Sequence, residues 1–213
     1  CSALQSVTIP ASVTTIGSQA FYSCSALQSI TIPASVTTIG EKAFYSCSAL
    51  QSVTFADGSQ LTTIGANAFN TCSKLQTVTL PAALKSIGAS AFQGCSKLTP
   101  IVFPTSLDTI GESAFYGCSA LESITIPASV DTIGGSAFQS CKGLTSIVVE
   151  AGNTKYDSRD NCNGIVEKAT NTLIAACKNT IIPNTVTVIG SKVFYSQPIT
   201  TITIPAGVTT IGE

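Results

Sequence analysis

A short motif recurs along the chain, and this repeat constrains the fold more than any other feature of the sequence. The dipeptide Ile-Gly returns in steps of 23, 25, 23, 23, 23, 56 and 22 residues, with its glycine at Gly17, Gly40, Gly65, Gly88, Gly111, Gly134, Gly190 and Gly212. Cysteine and phenylalanine follow the same step. A fixed period of roughly 20 to 50 residues is typical of solenoids, in which each repeat packs on its neighbours. The sequence therefore predicts a stack of similar coils.

Within one unit, two segments are predicted to be extended and one to be helical. Residues 24–46 read C-S-A-L-Q-S-I-T-I-P-A-S-V-T-T-I-G-E-K-A-F-Y-S. Ile30 and Ile32 alternate with polar residues, which indicates a first strand, and Pro33 suits its end because proline lacks an N–H. The segment S-V-T-T-I-G predicts a second short strand that ends at Gly40. The following E-K-A-F-Y-S predicts one helical or 3₁₀ turn.

The unit also resembles a known repeat family. Residues 24–44 match C-x-x-L-x-x-I-x-I-P-x-x-V-x-x-I-G-x-x-A-F at every fixed position, and this pattern is similar to the leucine-rich repeat of BspA-like bacterial and protist surface antigens. The resemblance implies a β-rich α/β leucine-rich-repeat solenoid, right-handed, with about eight coils of two short strands plus a helical or 3₁₀ turn. We expect residues 1–213 to form a single leucine-rich-repeat domain. Because Cys1 and Glu213 both fall within a unit, we expect a piece of a longer array.

Composition and missing residue types exclude several classes of function. With 44% hydrophobic residues, 10% charged residues and a net charge of −1, the chain has no field to attract nucleic acid or an anionic membrane. No apolar run is long enough to cross a bilayer. The chain has no histidine, which excludes Ser-His and Cys-His nucleophile pairs and histidine metal ligands. No cysteine pair has zinc-site spacing. We therefore predict no catalytic residue, no metal and no cofactor.

The repeat is broken between Gly134 and Gly190. The step of 56 residues exceeds two periods of 23 by ten (56 − 46 = 10), which predicts an enlarged irregular coil at about 142–182. The segment I-V-E-K-A-T-N-T-L-I predicts two strands around 169–171. Loops that depart from a scaffold often carry function. One interpretation is a solvated hairpin, and the other is a recognition loop formed by Tyr156, Asp157, Arg159 and Asp160.

The nine cysteines fall into two groups. Seven follow the repeat and predict a column of small, buried, free thiols that face the core. Cys162 and Cys177 lie outside this column, in the irregular coil, and form the candidate disulfide.

The outward positions of the first strand form the candidate ligand-binding surface. In a leucine-rich repeat this face of the sheet is the usual binding surface, and here it is almost uncharged. Its predicted members are Gln5, Ser6, Thr8, Gln28, Ser29, Thr31, Gln51, Ser52, Thr54, Gln76, Thr77, Thr79, Glu122, Ser123 and Thr125. Pro100, Val102 and Val148 interrupt the polar stripe and could mark an apolar contact patch. The alternative interpretation is that Ser and Thr simply suit an exposed strand.

The resemblance implies a non-catalytic recognition module of a cell-surface or secreted protein. It would mediate adhesion to host matrix proteins or to other cells, with a protein or glycan as ligand. Uncapped ends would also allow end-to-end self-association. Two alternatives stay open: a spacer solenoid without a ligand, and a flat Ser/Thr array that binds ice or glycans.

Overall fold

In a computed structural model that describes all 213 residues, the chain winds as a β-solenoid of about nine turns, one more than the sequence predicted. In chain order its strands are β1 (Thr15–Ile16), β2 (Ser29–Ile32), β3 (Thr38–Ile39), β4 (Ser52–Phe55), β5 (Thr63–Ile64), β6 (Thr77–Val78), β7 (Ser86–Ile87), β8 (Thr109–Ile110), β9 (Ser123–Ile126), β10 (Thr132–Ile133), β11 (Ser146–Val149), β12 (Tyr156–Asp157), β13 (Gly164–Glu167), β14 (Thr172–Ala176), β15 (Val188–Ile189) and β16 (Thr210–Ile211).

The second strand of each coil forms the most regular ladder. β1, β3, β5, β7, β8 and β10 make a six-stranded parallel sheet in which every strand pairs with the equivalent strand of the next coil. Thr15 lies opposite Thr38, and Ile16 lies opposite Ile39. Because the register never slips, each isoleucine stacks on the one below it and faces the core.

The first strands form a ladder that is interrupted once. β2, β4 and β6 make a three-stranded parallel sheet, and β9 pairs with β11 in a separate one. Between them, residues 100–103 of the fifth coil belong to no strand. Pro100 begins this segment, and proline cannot donate to a ladder hydrogen bond. The predicted alternation of buried and exposed residues still holds there, since Ile101 and Phe103 are buried and Val102 is exposed.

The prediction of a helical or 3₁₀ turn after each Ile-Gly is wrong, because these residues form no helix. After each Ile-Gly the chain makes overlapping β-turns, as where the N–H of Ala20 donates to the carbonyl of Gly17 at 3.3 Å. Gln19 (φ 58°) and Ser23 (φ 53°) lie in the left-handed region, which a helix does not tolerate, and the equivalent positions of later coils do the same. The reason is hydrogen bonding between coils, since this backbone turns N–H groups toward the next coil. The only helical segment is a 3₁₀ turn at Arg159–Asn161.

The core is a set of continuous columns. Leu, Ile, Ala, Cys and Phe side chains of successive coils form one apolar cluster of 46 buried residues. The phenylalanine rings stack almost parallel, with ring centroids 5.1–5.6 Å apart, at Phe21, Phe44, Phe69, Phe92, Phe115 and Phe138. Each coil alone could not bury these side chains, so the stack supplies the stability of every unit.

The irregular segment is a three-stranded antiparallel unit built into the stack. β12 pairs with β13 and β13 pairs with β14, with the turn between the last two strands at residues 168–171, as the sequence predicted. β14 then pairs in parallel with β15, which restores the solenoid. Asn153 anchors the segment: its buried amide donates to the carbonyls of Pro127 (3.0 Å) and Val130 (2.8 Å), while its oxygen accepts two backbone N–H groups. No helix in the structure has the length and apolar character of a membrane span.

Candidate functional site

The outward side chains of β2, β4 and β6 form an in-register polar surface. Ser29 lies opposite Ser52, which lies opposite Thr77, and Thr31 lies opposite Thr54. The glutamines that precede these strands are exposed, and Thr79 is exposed just beyond β6. The structure therefore brings together nine of the predicted residues in three neighbouring coils: Gln28, Ser29, Thr31, Gln51, Ser52, Thr54, Gln76, Thr77 and Thr79. We call this surface, with its extension along the later coils, the first-strand face.

The remaining predicted residues lie at a distance from that group. Glu122, Ser123 and Thr125 are exposed on or just before β9, beyond the interruption in the fifth coil. Gln5, Ser6 and Thr8 are exposed in the first coil but belong to no strand, and their segment joins the next coil through one bond from the N–H of Gln28 to the carbonyl of Gln5 at 3.3 Å. The first-strand face is therefore divided into three parts.

Three exposed aliphatic side chains occupy the column that otherwise holds threonine. Val102 is 75% exposed, Val148 is 45% exposed and Ile181 is 70% exposed. Val148 lies opposite Thr125 in the β9–β11 pair. We call Val102, Val148 and Ile181 the aliphatic column. An exposed side chain of this kind gains free energy when a partner covers it.

Sequence reasoning missed Ile181, although a signal for it was present. Pro183 aligns with the strand-ending Pro33, and this alignment puts Ile181 at the position of Thr31. Two bonds join its segment to the residues just before β11: the N–H of Lys178 donates to the carbonyl of Leu144 at 3.3 Å, and the amide of Asn179 donates to the carbonyl of Thr145 at 3.1 Å. The N–H of Ile181 itself donates to the carbonyl of Cys162 in the irregular segment at 2.9 Å. The long insertion had hidden this continuation of the stack.

Most of the predicted recognition loop makes contacts within the protein. Tyr156 is buried, and its hydroxyl accepts the N–H of Ile133 at 3.1 Å. Burial raises the pKa of Tyr156 above its usual range. Asp157 and Arg159 form a bidentate ion pair at 2.8 and 2.9 Å. The Asp157 carboxylate raises the pKa of the Arg159 guanidinium through these hydrogen bonds. Asp160 alone of the four is exposed.

All nine cysteines are free thiols. The structure does not contain the predicted disulfide between Cys162 and Cys177. These side chains belong to different apolar clusters, and their sulfur atoms approach separate backbone carbonyls, those of Gly164 at 3.5 Å and Asn163 at 3.3 Å. No group of three or more Cys, Asp or Glu side chains is arranged to hold a metal ion.

Six cysteines of the repeat are buried, and the first, Cys1, is exposed. From the third coil onward each thiol donates to the carbonyl of a phenylalanine 26 or 28 residues earlier in the chain, as from Cys95 to Phe69 at 3.2 Å. Burial raises the pKa of Cys47 to about 11 and that of Cys141 to about 12, because the thiolate would lose its hydration. These thiols are therefore structural and unreactive at neutral pH.

The family model for the BspA-type leucine-rich repeat region matches in six copies over residues 1–82, 56–166 and 160–213. The chain belongs to the BspA-type leucine-rich-repeat family. Comparison with curated protein sequences gave no match. Several solved structures do match the chain.

A leucine-rich cell surface protein of Faecalibacterium prausnitzii is 32% identical, with a TM-score of 0.72 over 98% of this chain and 64% of its own. The pneumococcal vaccine antigen PcpA is 30% identical, with a TM-score of 0.79 over 94% of this chain and 52% of its own. A leucine-rich repeat protein of Eubacterium ventriosum is 27% identical, with a TM-score of 0.61 over 94% of this chain and 47% of its own. The chain thus spans about half to two thirds of the length of these relatives.

Proposed function

We propose that this chain is a non-catalytic, protein-binding module of a cell-surface or secreted protein and that it mediates adhesion to host matrix proteins or to other cells. The observation that carries the proposal is the aliphatic column on the first-strand face. Val102, Val148 and Ile181 replace threonine at equivalent positions of three different coils and stay exposed. Bacterial relatives named as a cell surface protein and a vaccine antigen support the location.

The chemistry of the first-strand face fits a protein partner. Around the aliphatic column the outward residues are uncharged hydroxyl and amide groups, apart from Pro100, Glu122, Glu150 and the lysines of the irregular region. Interfaces bind through a few apolar contacts surrounded by polar groups that exclude water. A face repeated over several coils would offer many such contacts, and display of several copies on a cell would raise the avidity.

The test is binding of the purified chain to immobilised matrix proteins and to whole cells, with one variant that removes the aliphatic column. The variant Val102→Thr/Val148→Thr/Ile181→Thr keeps β-branched side chains and should fold normally. We expect binding to weaken at least about tenfold, since three contacts of ~0.5 kcal/mol each amount to one decade. Unchanged binding would contradict the proposal.

A matched control places the change elsewhere on the surface. Tyr22 and Tyr195 are 43% and 54% exposed, and both lie in the turns after the Ile-Gly motif. The variant Tyr22→Ser/Tyr195→Ser should therefore bind as the unchanged chain does. Absence of binding by every form would favour a spacer solenoid.

A second candidate function has one specific observation in its favour. The Ser and Thr residues of β2, β4 and β6 are paired in register, as an ice- or glycan-binding array requires. The array covers three coils and stops at Pro100. Thermal hysteresis of a concentrated solution would support this candidate, and its absence would exclude ice binding.

A further inference from the structure

The turns of successive coils are joined by hydrogen bonds that all run in one direction. The N–H of Phe21 donates to the carbonyl of Ala43, and the same peptide group then donates through the N–H of Phe44 to the next coil. The peptide groups therefore form a head-to-tail chain along the solenoid axis. Its links, at 2.7–2.8 Å, are Phe21 to Ala43, Phe44 to Ala68, Phe69 to Ala91, Phe92 to Ala114 and Phe115 to Ala137.

Two further chains flank this one. They begin at Gln19 and Ser23, and their last links are Ser113 to Gly135 and Gly117 to Gln139, both at 2.9 Å. Alternate left-handed residues turn these N–H groups to the same side. Aligned peptide dipoles add along an axis, as they do in an α-helix, whereas the dipoles of β-strands largely cancel. The three chains therefore place a partial positive charge at the sixth coil, where they end.

The N–H groups at this end have no acceptor in the protein. Ser136, Phe138 and Ser140 occupy the donor positions of the sixth coil, and none of their N–H groups makes a hydrogen bond within the chain. Ser136 (φ 58°) and Ser140 (φ 61°) keep the left-handed geometry of the earlier coils. The cause is the irregular segment, because its strand β14 replaces the turns that would have supplied carbonyl groups.

Two of these donors, Ser136 and Phe138, belong to residues that line a small cleft. Its walls are residues 136–139 on one side and residues 174–176 and 191–193 on the other, and its free volume is about 20 Å³. A cavity needs roughly 10–15 Å³ to hold one water molecule, so a single small species fits. Lys192 lines the cleft and takes part in no ion pair.

We propose that this cleft binds a small monovalent anion of the size of chloride. The N–H groups of Ser136 and Phe138 would donate to it at the positive end of the peptide chains, and the Lys192 ammonium would balance its charge. A helix N-terminus binds anions for the same reasons. The competing occupant is water, because the carbonyls of Ser191 and Val193 accept no hydrogen bond and a water could bridge the two walls.

Amide NMR of the ¹⁵N-labelled chain distinguishes the two occupants. Sodium chloride would be titrated in at constant ionic strength against sodium gluconate, whose anion is too large for the cleft. We expect saturable downfield shifts of the Ser136 and Phe138 amide protons with chloride only. Shifts that do not saturate, or that gluconate reproduces, would mean that the cleft holds water and would overturn the proposal.

Two lysine variants test the assigned site. Lys192→Gln should weaken chloride binding roughly fivefold, since one charge interaction of a solvent-exposed ammonium is lost. Lys42 has the equivalent position in the second coil, where the N–H groups are all bonded to the next coil. Lys42→Gln should leave the titration unchanged. Equal effects of both variants, or no effect of Lys192→Gln, would overturn the site.

Discussion

The buried thiols predict a strong loss of stability at alkaline pH. Burial raises the pKa of six thiols, those of Cys162 and of five cysteines of the repeat, Cys47, Cys72, Cys95, Cys118 and Cys141. In the unfolded chain a cysteine has a pKa of about 8.5. The folded state therefore holds protons that the unfolded state releases. The stability contributed by the neutral thiols is complete below about pH 8.5 and is lost as the pH rises through the folded pKa values.

The magnitude follows from the same shifts. With a folded pKa of about 11, the Cys47 thiol costs about 2 kcal/mol of unfolding free energy at pH 10, and the more deeply buried thiols of the column cost a similar amount. Together these five thiols of the column cost about 10 kcal/mol, which is comparable to the whole stability of an ordinary domain. We therefore expect the chain to unfold on titration from pH 8.5 to 10.5.

The assay is urea denaturation between pH 7.5 and 10, followed by far-UV circular dichroism in the presence of a reductant. Cys95→Ala/Cys118→Ala removes two of the six groups and should reduce the pH dependence by about a third. Cys1→Ala, at an exposed cysteine, should leave it unchanged. A stability that stays constant up to pH 10 would refute the claim that these thiols are buried and neutral.

Three further changes follow from local contacts, each measured by the urea midpoint. Asn153→Ala removes four side-chain hydrogen bonds and should lower the free energy of unfolding by about 3 kcal/mol or more. Asn184→Ala, at an exposed asparagine, should lower it by less than about 0.5 kcal/mol. Equal losses in the two variants would contradict the anchor role of Asn153. The side-chain amide of Gln197 is buried, and its nitrogen and oxygen have no hydrogen-bond partner. Gln197→Leu should therefore raise the free energy of unfolding by about 1 kcal/mol, and a lower free energy of unfolding would contradict this. A Cβ on Gly134 would overlap the backbone of the preceding coil, while one on its neighbour Gly135 meets nothing, so only Gly134→Ala should destabilise the chain.

Sequence periodicity predicted the columns well because each column depends on one residue type at a constant step. The register of β1 with β3 and the stacked phenylalanines follow directly from that step. Periodicity failed for the turns, where it predicted helix after Gly17 and Gly40. The left-handed residues there are Gln, Ser and Lys, which have no preference for that conformation, so only bonding between coils explains it.

The candidate site was predicted in part. The polar positions of β2 and β4 could be identified from alternation alone, since outward residues of a strand recur every second position. Ile181 could be identified only by aligning Pro183 with Pro33, and the insertion hides that alignment because it changes the spacing of the repeat. The roles of Tyr156 and Arg159 also depend on tertiary contacts, because the polar and aromatic residues of a loop look alike in sequence whether they face solvent or a neighbouring coil.

Hydrogen–deuterium exchange with a bound partner tests the central claim most directly, since it locates the binding surface without a mutation. The partner would be the matrix protein or cell extract component that the chain binds in the immobilised panel. We expect added protection at the peptides that contain Val102, Val148 and Ile181, and none at the turns around Tyr22 and Tyr116. Protection confined to the turns or to residues 156–161 would contradict recognition through the first-strand face.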